Sequence, residues 1–256
     1  MIRVGVVGAT GKMGRTACAA ILGDPDLALV AAVSRTAAGS QVGQVLGITG
    51  TDLRFTDALQ SVLDAGAEVL VDFTSPAFAP EHIAWGIEHH VHVVEGTTGF
   101  SVDEAWGDAE IGIVIAPNFA IGAVLMMRFA EQAARFFDAA EIVELHHDGK
   151  ADAPGGTAIA TARRIAAARR GDWAPPGGDD AHPGARGADI EQIRVHSVRL
   201  PGLLAHQEVI LGGAGQTLTI RHDSTDRTSF MPGVLMAIRW VPEHPGLTIG
   251  LDALLG

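Results

Sequence analysis

The sequence predicts an α/β chain in which a doubly wound parallel sheet is followed by a second, α+β domain with a mixed sheet. Three observations carry that prediction. Short apolar runs alternate with helical runs over the first half, the pattern of a buried parallel sheet. The first strand runs directly into a glycine-rich turn and a helix. Near Ala120 the order changes, and further on three β-like runs follow one another.

The elements justify this in turn. Ile2 to Val7 is a short, mostly apolar strand that leads into Gly8-Ala9-Thr10-Gly11-Lys12-Met13-Gly14 and then a helical run, Arg15 to Leu22. Glycine at the first, fourth and seventh positions is GxxGxxG, a variant of the dinucleotide fingerprint. Glycines let the backbone turn sharply and approach a pyrophosphate, which the following helix N-terminus holds. A second strand, Ala28 to Val33, ends at Ser34-Arg35. An NAD-selective site normally has an acid there for the ribose diol. A hydroxyl and a guanidinium stand in its place, and Arg35 can pair with a 2′-phosphate. NADPH is therefore expected to be preferred, with NADH possible.

Val69 to Phe73, Val91 to Val94 and Ile111 to Ala116 read as further strands, with a helix from Pro76 to Glu88 between the first two. Ligands of such sheets bind beyond the strands' C-terminal ends. The loops there are Asp72-Phe73-Thr74-Ser75-Pro76, Gly96-Thr97-Thr98-Gly99-Phe100 and Ala116-Pro117-Asn118-Phe119. They are small and polar, suited to a nicotinamide ribose and its carboxamide. His89, His90 and His92 read as a solvated helix end and strand start.

A helix from Ile121 to Phe137 opens the second region. Ala139 to Leu145 is a β-branched and apolar strand, and His146 and His147 sit where it runs out, on opposite faces of the pleat. Lys150 follows, then Gly155-Gly156-Thr157 opens a helix that runs to Arg170. Cations beside a helix N-terminus make a site for a carboxylate or phosphate. Gly171 to Gly187 is expected to be a surface loop or flap. Ile193 to Leu200, His206 to Leu211 and Leu218 to His222 are the three grouped strands, and a helix from Met231 to Trp240 leads a tail that packs back on the first domain. The expected division is residues 1–119 completed by 230–256, and residues 120–229.

Composition agrees. With 47% hydrophobic residues over 256 positions, and a mean hydropathy of +0.24, the chain can build an ample core. A net charge of −12 argues against nucleic acid and acidic membrane as partners, so an anionic ligand needs a local positive pocket. Of the 18 Lys and Arg residues only Lys12 and Lys150 are lysines, and both fall inside the two motifs. Cys18 is the single cysteine, which excludes an intrachain disulfide and suits a reducing cytoplasm. The chain begins within its first strand, so no signal peptide is expected. Ile111 to Met127, broken by Pro117-Asn118, falls short of the ~20 apolar residues of a membrane span. No metal site is expected, since His146 and His147 diverge.

The blocks Gly96 to Phe100, Ala116 to Gly122, Glu144 to Thr157, and Arg221 to Ser224 with Asp226-Arg227 together resemble the 4-hydroxy-tetrahydrodipicolinate (dihydrodipicolinate) reductase family of lysine and diaminopimelate biosynthesis. The His-His-x-x-Lys-x-Asp-Ala-Pro segment is the most specific of these. The resemblance implies a Rossmann-like first domain and a substrate domain that also assembles a homotetramer, with closure of the two around the ligands. It implies reduction of a cyclic dicarboxylate imine with loss of water. His146 matches the acid/base, Lys150 a cation and proton donor, and His147, Gly156 and Thr157 the substrate contacts. Gly8, Ala9, Thr10, Gly11, Lys12, Met13, Arg35, Gly96, Thr97, Thr98, Ala116, Pro117, Asn118 and Phe119 match the nucleotide contacts. Two departures stand out: Gly155 replaces a common Ser, and Ser34 stands where relatives using both cofactors often carry an acid. The alternatives are another NADPH-dependent reductase of this architecture, for which no motif is present, and a non-catalytic dinucleotide sensor, in which His146 and Lys150 merely hold an anion.

Overall fold

The computed structural model describes residues 1–171, 173 and 180–256. In chain order the elements begin with β1 (Ile2–Val7), α1 (Lys12–Leu22), β2 (Leu27–Val33), α2 (Val42–Leu46), α3 (Gln60–Asp64), β3 (Val69–Asp72), α4 (Ala79–Glu88), β4 (His92–Glu95) and β5 (Gly112–Ile115). There follow α5 (Ile121–Ala134), β6 (Ala139–His146), α6 (Gly156–Ala168), β7 (Ala188–Ile190), β8 (Ile193–Arg199), β9 (Ala205–Gly213) and β10 (Gln216–Ser224). The chain ends with α7 (Met231–Trp240) and β11 (Gly246–Ile249). It divides into two compact units: Met1–Phe119 with Phe230–Gly256, and Ala120–Ser229.

The first unit is built on a six-stranded sheet of order β11-β5-β4-β3-β1-β2, parallel throughout. All four residues of β3 and of β5 are buried, as a sheet covered on both faces requires. Each fully buried Val, Leu or Ile there contributes roughly 1.5–3 kcal/mol. Order reverses at β1, so the crevice beyond the ends of β1 and β3 is the switch point where such sheets bind ligands. The tail adds β11 beside β5, in register from Gly246 on Gly112 to Ile249 on Ile115. The docking is tight: a Cβ on Gly112 would lie 2.0 Å from the Val241 carbonyl oxygen.

The second unit is a mixed five-stranded sheet of order β10-β9-β6-β8-β7, in which only β6 and β8 run parallel. Alternate residues are buried on β6 (Ala140, Ile142, Glu144) and β9 (Gln207, Val209, Leu211), and α5 and α6 pack on the sheet. Period-two burial marks one covered face.

The predicted fold class holds, with boundaries displaced by a few residues. Helix α1 starts at Lys12 rather than Arg15, its first turn closed by the Arg15 N–H to the Gly11 carbonyl at 3.0 Å. Helix α4 starts at Ala79, since Ser75 to Phe78 is spent on a turn closed by Phe78 N–H to the Ser75 carbonyl, 3.0 Å. The short elements α2, α3 and β7 are additions that no apolar period announced. Of the expected Gly171–Gly187 loop, residues 172 and 174–179 lie outside the described residues. His92 corrects the expectation of a solvated histidine: it is half-buried, and its Nδ1 accepts the Gly112 N–H at 2.9 Å. Burial lowers its pKa, which keeps it a neutral acceptor despite the nearby Glu68 carboxylate.

Candidate active site

In the first unit, the turn after β1 is shaped for a ligand backbone. Gly8 has φ +73°, and a Cβ there would meet the Phe73 carbonyl oxygen at 2.6 Å. A Cβ on Gly14 would lie 2.2 Å from the Gly8 carbonyl oxygen, so only glycine lets the helix approach the turn so closely. Helix α1 has Gly11 as its N-cap with no side-chain cap, which leaves first-turn N–H groups for an anion. Beside this turn opens a cleft of about 440 Å³, whose lining includes Gly8, Thr10, Gly11, Ser34, Arg35 and Thr74.

The cleft's chemistry fits a dinucleotide. The Thr74 hydroxyl is buried without a hydrogen-bond partner, a polar group that a ligand can satisfy. The Arg35 guanidinium lies 4.8 Å over the Phe78 ring, a cation held at the rim. The Ser34 hydroxyl is engaged by Thr10 at 2.8 Å and Thr36 at 3.2 Å, so Arg35 rather than Ser34 is the group presented outward. Ala9 is buried, and its N–H goes to the Val33 carbonyl at 3.2 Å. Lys12 and Met13 begin α1. Gly96, Thr97 and Thr98 follow β4, and Ala116 to Phe119 follow β5, further along the same sheet edge. They are joined there: a Cβ on Gly96 would strike Phe73 at 2.2 Å, and the Phe73 and Phe119 rings meet edge to face at 6.0 Å.

In the second unit, β6 delivers His146 as its last residue. Glu144, two residues earlier, shares its face, and Arg199 of β8 is its register neighbour across the parallel pair. The Glu144 carboxylate is fully buried and bonds His146 Nδ1, Arg199 at 2.8 and 3.0 Å, and the Gly155 N–H at 3.3 Å. Burial alone would raise its pKa. Hydrogen bonds from His146, Arg199 and Ser197 outweigh that, and it is lowered to about 2. Arg199 also reaches the Asp152 carbonyl at 2.5 Å, which clamps the loop that carries Lys150.

Lys150 Nζ pairs with both Asp152 carboxylate oxygens at 2.7 and 2.8 Å. Asp152 is the more exposed partner, and its carboxyl is held below the usual range by that bond. A Cβ built on Gly155 would sit 3.1 Å from Lys150 Cε, 3.6 Å from His146 Cε1 and 3.7 Å from Glu144 Oε2. One point therefore lies within reach of the imidazole, the lysine stem and the N-cap of α6. That N-cap, Gly155, again carries no side-chain cap, so the amides of Gly156, Thr157 and Ala158 face outward from the first turn. His147 is half-buried, and its carbonyl accepts the Lys150 N–H at 3.1 Å.

Sequence reasoning overlooks Arg199 and assigns no role to Glu144 and Asp152, although both lie within the Glu144 to Thr157 block. Glu144 carried a signal, since it stands two before His146 in a strand. Arg221 and Asp223 pair with each other and with Glu208 and His206 on β9 and β10. His222 faces α5, where a Cβ on Gly122 would meet its ring at 2.5 Å.

A parallel sheet with a glycine turn at its switch point, and a second unit that sets an imidazole beside an uncapped helix start, fit the class of oxidoreductases that use NAD(P)H. The chain belongs to the dihydrodipicolinate reductase family: it matches the family's N-terminus over residues 2–119 and its C-terminus over residues 122–255. It is 50% identical over 264 residues to the 4-hydroxy-tetrahydrodipicolinate reductase of Nocardia farcinica, covering 99% of this chain and 98% of the relative. It is 49% identical over 267 residues to that of Cutibacterium acnes, covering 100% and 99%. Among solved structures, the dipicolinate-bound dihydrodipicolinate reductase of Paenisporosarcina sp. TG-14 aligns over 99% of both chains at 40% identity and a TM-score of 0.86. An amine dehydrogenase from Mycobacterium smegmatis shares the fold, with a TM-score of 0.61 at 14% identity over 96% of this chain and 94% of that one. No helix among the described residues is long and apolar enough to cross a membrane.

Proposed function

We propose that this chain reduces 4-hydroxy-tetrahydrodipicolinate to tetrahydrodipicolinate, the reductase step of lysine and diaminopimelate biosynthesis. The observation that carries it is the meeting of His146, Lys150 and the uncapped start of α6 around Gly155. A cyclic dicarboxylate needs fixed positive potential, which the Gly156 and Thr157 amides and Lys150 supply, with His147 beside them. The reduced nicotinamide, when bound, supplies the hydride. In balance, the substrate hydroxyl leaves as water together with a hydrogen from the adjacent ring carbon, one hydride enters the ring and one proton joins it. His146 delivers that proton through Nε2, because Glu144 occupies Nδ1 and fixes the ring. Lys150 exchanges part of its bond to Asp152 for a substrate carboxylate.

Assay with NADPH and the freshly formed condensation product of pyruvate and aspartate semialdehyde tests this. His146→Ala lowers kcat by roughly 10²–10⁴ if the imidazole is the general acid. A change confined to KM would make it a binding group and overturn the assignment. The same assay tests the cofactor. Arg35 supports NADPH over NADH, and Arg35→Ala should lower kcat/KM for NADPH by about 10–100-fold, the worth of a charged hydrogen bond, with little effect on NADH. Equal losses for both would remove Arg35 from selectivity. Family membership further supports a cytoplasmic homotetramer, which sedimentation of the purified chain can check.

A further inference from the structure

The parallel sheet carries two buried acids that the chemistry above does not use. Asp72 ends β3 and Glu95 ends β4, and the two are register partners on neighbouring strands. Both are fully buried. Asp72 Oδ1 accepts the Thr74 N–H at 2.7 Å, and Glu95 Oε1 accepts the Thr97 N–H at 2.6 Å. Each carboxyl thus folds its own strand-end loop back on itself, and those two loops are the ones assigned above to the cofactor. Asp72 Oδ2 also meets His82 Nδ1 at 2.5 Å, and the His82 ring stacks on Phe78, which carries Arg35. Glu95 Oε2 is buried with no hydrogen-bond partner so long as both groups are counted as acceptors.

A shared proton resolves that orphan. Two ionised carboxylates side by side in a dry interior repel strongly, whereas a protonated acid can donate to its neighbour. We propose that Asp72 and Glu95 act as one proton-joined unit that positions the Thr74 and Thr97 loops for the cofactor. The inference rests on the cofactor reading of those loops. Burial and the adjacent Asp72 charge push the Glu95 carboxyl up to about 9, which outweighs the bonds from Thr97. Among the described residues, the titratable group that faces the pair is His82 on α4, while β5 brings Ile115, the register partner of Glu95, and Ala116. Above that range the proton leaves, the two charges repel and the loops separate. Asp72 and Glu95 are positioning residues, since neither need touch the nucleotide.

Two measurements on the full chain test this, each comparing wild type with Glu95→Gln, whose amide can still donate to Asp72 and accept from Thr97. The first is NADPH affinity from pH 7.5 to 10. If binding requires the protonated pair, the wild-type Kd rises by about tenfold per pH unit above the titration. The Gln variant lacks this rise, and any other pH effect on binding is common to both. The second is Tm without cofactor. The folded chain holds a proton on Glu95 that the unfolded chain has released above its ordinary value of 4.5, so wild-type stability falls with rising pH from there to about 9. The Tm gap in favour of Glu95→Gln should therefore widen over that window. Parallel Kd profiles overturn the positioning role even if the Tm gap widens, and a Tm gap independent of pH overturns the shared proton. Absence of NADPH binding at pH 7.5 would instead sink the cofactor reading, and the Tm series would then decide the pair alone.

Discussion

Glu144, near the end of β6, and Glu95, at the end of β4, are both fully buried, and both accept a backbone N–H from a glycine- or threonine-bearing loop. Their carboxyls nonetheless move in opposite directions, to about 2 and to about 9. Burial is common to the two, so it cannot be what decides their charge. Company decides it. Glu144 has a guanidinium and an imidazole within hydrogen-bond reach, and Glu95 has another acid. The mixed sheet thereby keeps a negative charge behind the His146 ring, and the parallel sheet favours a neutral acid beneath the Thr97 loop.

That contrast is broken most severely by taking away the cation. Arg199→Leu leaves Glu144 buried and unpaired in the second unit, and should cost about 3–5 kcal/mol of stability in denaturant titrations. A loss below 1 kcal/mol would mean the carboxylate is not held ionised by Arg199. The next effect is seen by acid titration of the wild type. Glu144 is depressed in the fold, so its contribution is present above the ordinary 4.5 and is lost as pH falls towards 2. The loss amounts to roughly 3 kcal/mol at 1.36 kcal/mol per pKa unit, with a sign opposite to that of Glu95. Glu144→Gln should flatten this acid limb, and should lower kcat by roughly 10²-fold through misorienting His146, leaving NADPH affinity as it was. An unflattened limb would assign the acid sensitivity to another group. The smallest effect is at Gly155→Ser. Its Cβ would press on Lys150 Cε at 3.1 Å, the movable end of a flexible side chain. Only a few-fold change in substrate KM is expected, with kcat kept; a collapse of kcat would show that the lysine's place depends on the missing side chain.

Legibility in the sequence followed contiguity. The cleft after β1 was readable because strand, glycine turn and helix are consecutive, and each glycine has a local steric reason. Arg35 was readable by its distance beyond the turn. His146, Lys150 and Gly156 lie within one loop and were found together. What escaped was assembled across strands. Arg199 reaches Glu144 only because β6 and β8 pair in parallel, and the Asp72–Glu95 contact exists only through the register of β3 and β4. No window of sequence contains either pair. Glu144 is the intermediate case, visible to anyone counting two residues back from a strand-end histidine. His92 reads as solvated because its hydrogen-bond donor, Gly112, arrives from the next strand.

The return of residues 230–256 to the first unit has a consequence for how the chain is born. Strand β5 leaves the ribosome with one flank of its ladder open, and the partner that seals it, β11, is translated only after the second unit. Every residue of the second unit is synthesised in between. Assembly is therefore nested, an inner body completed while the outer one waits with a raw edge.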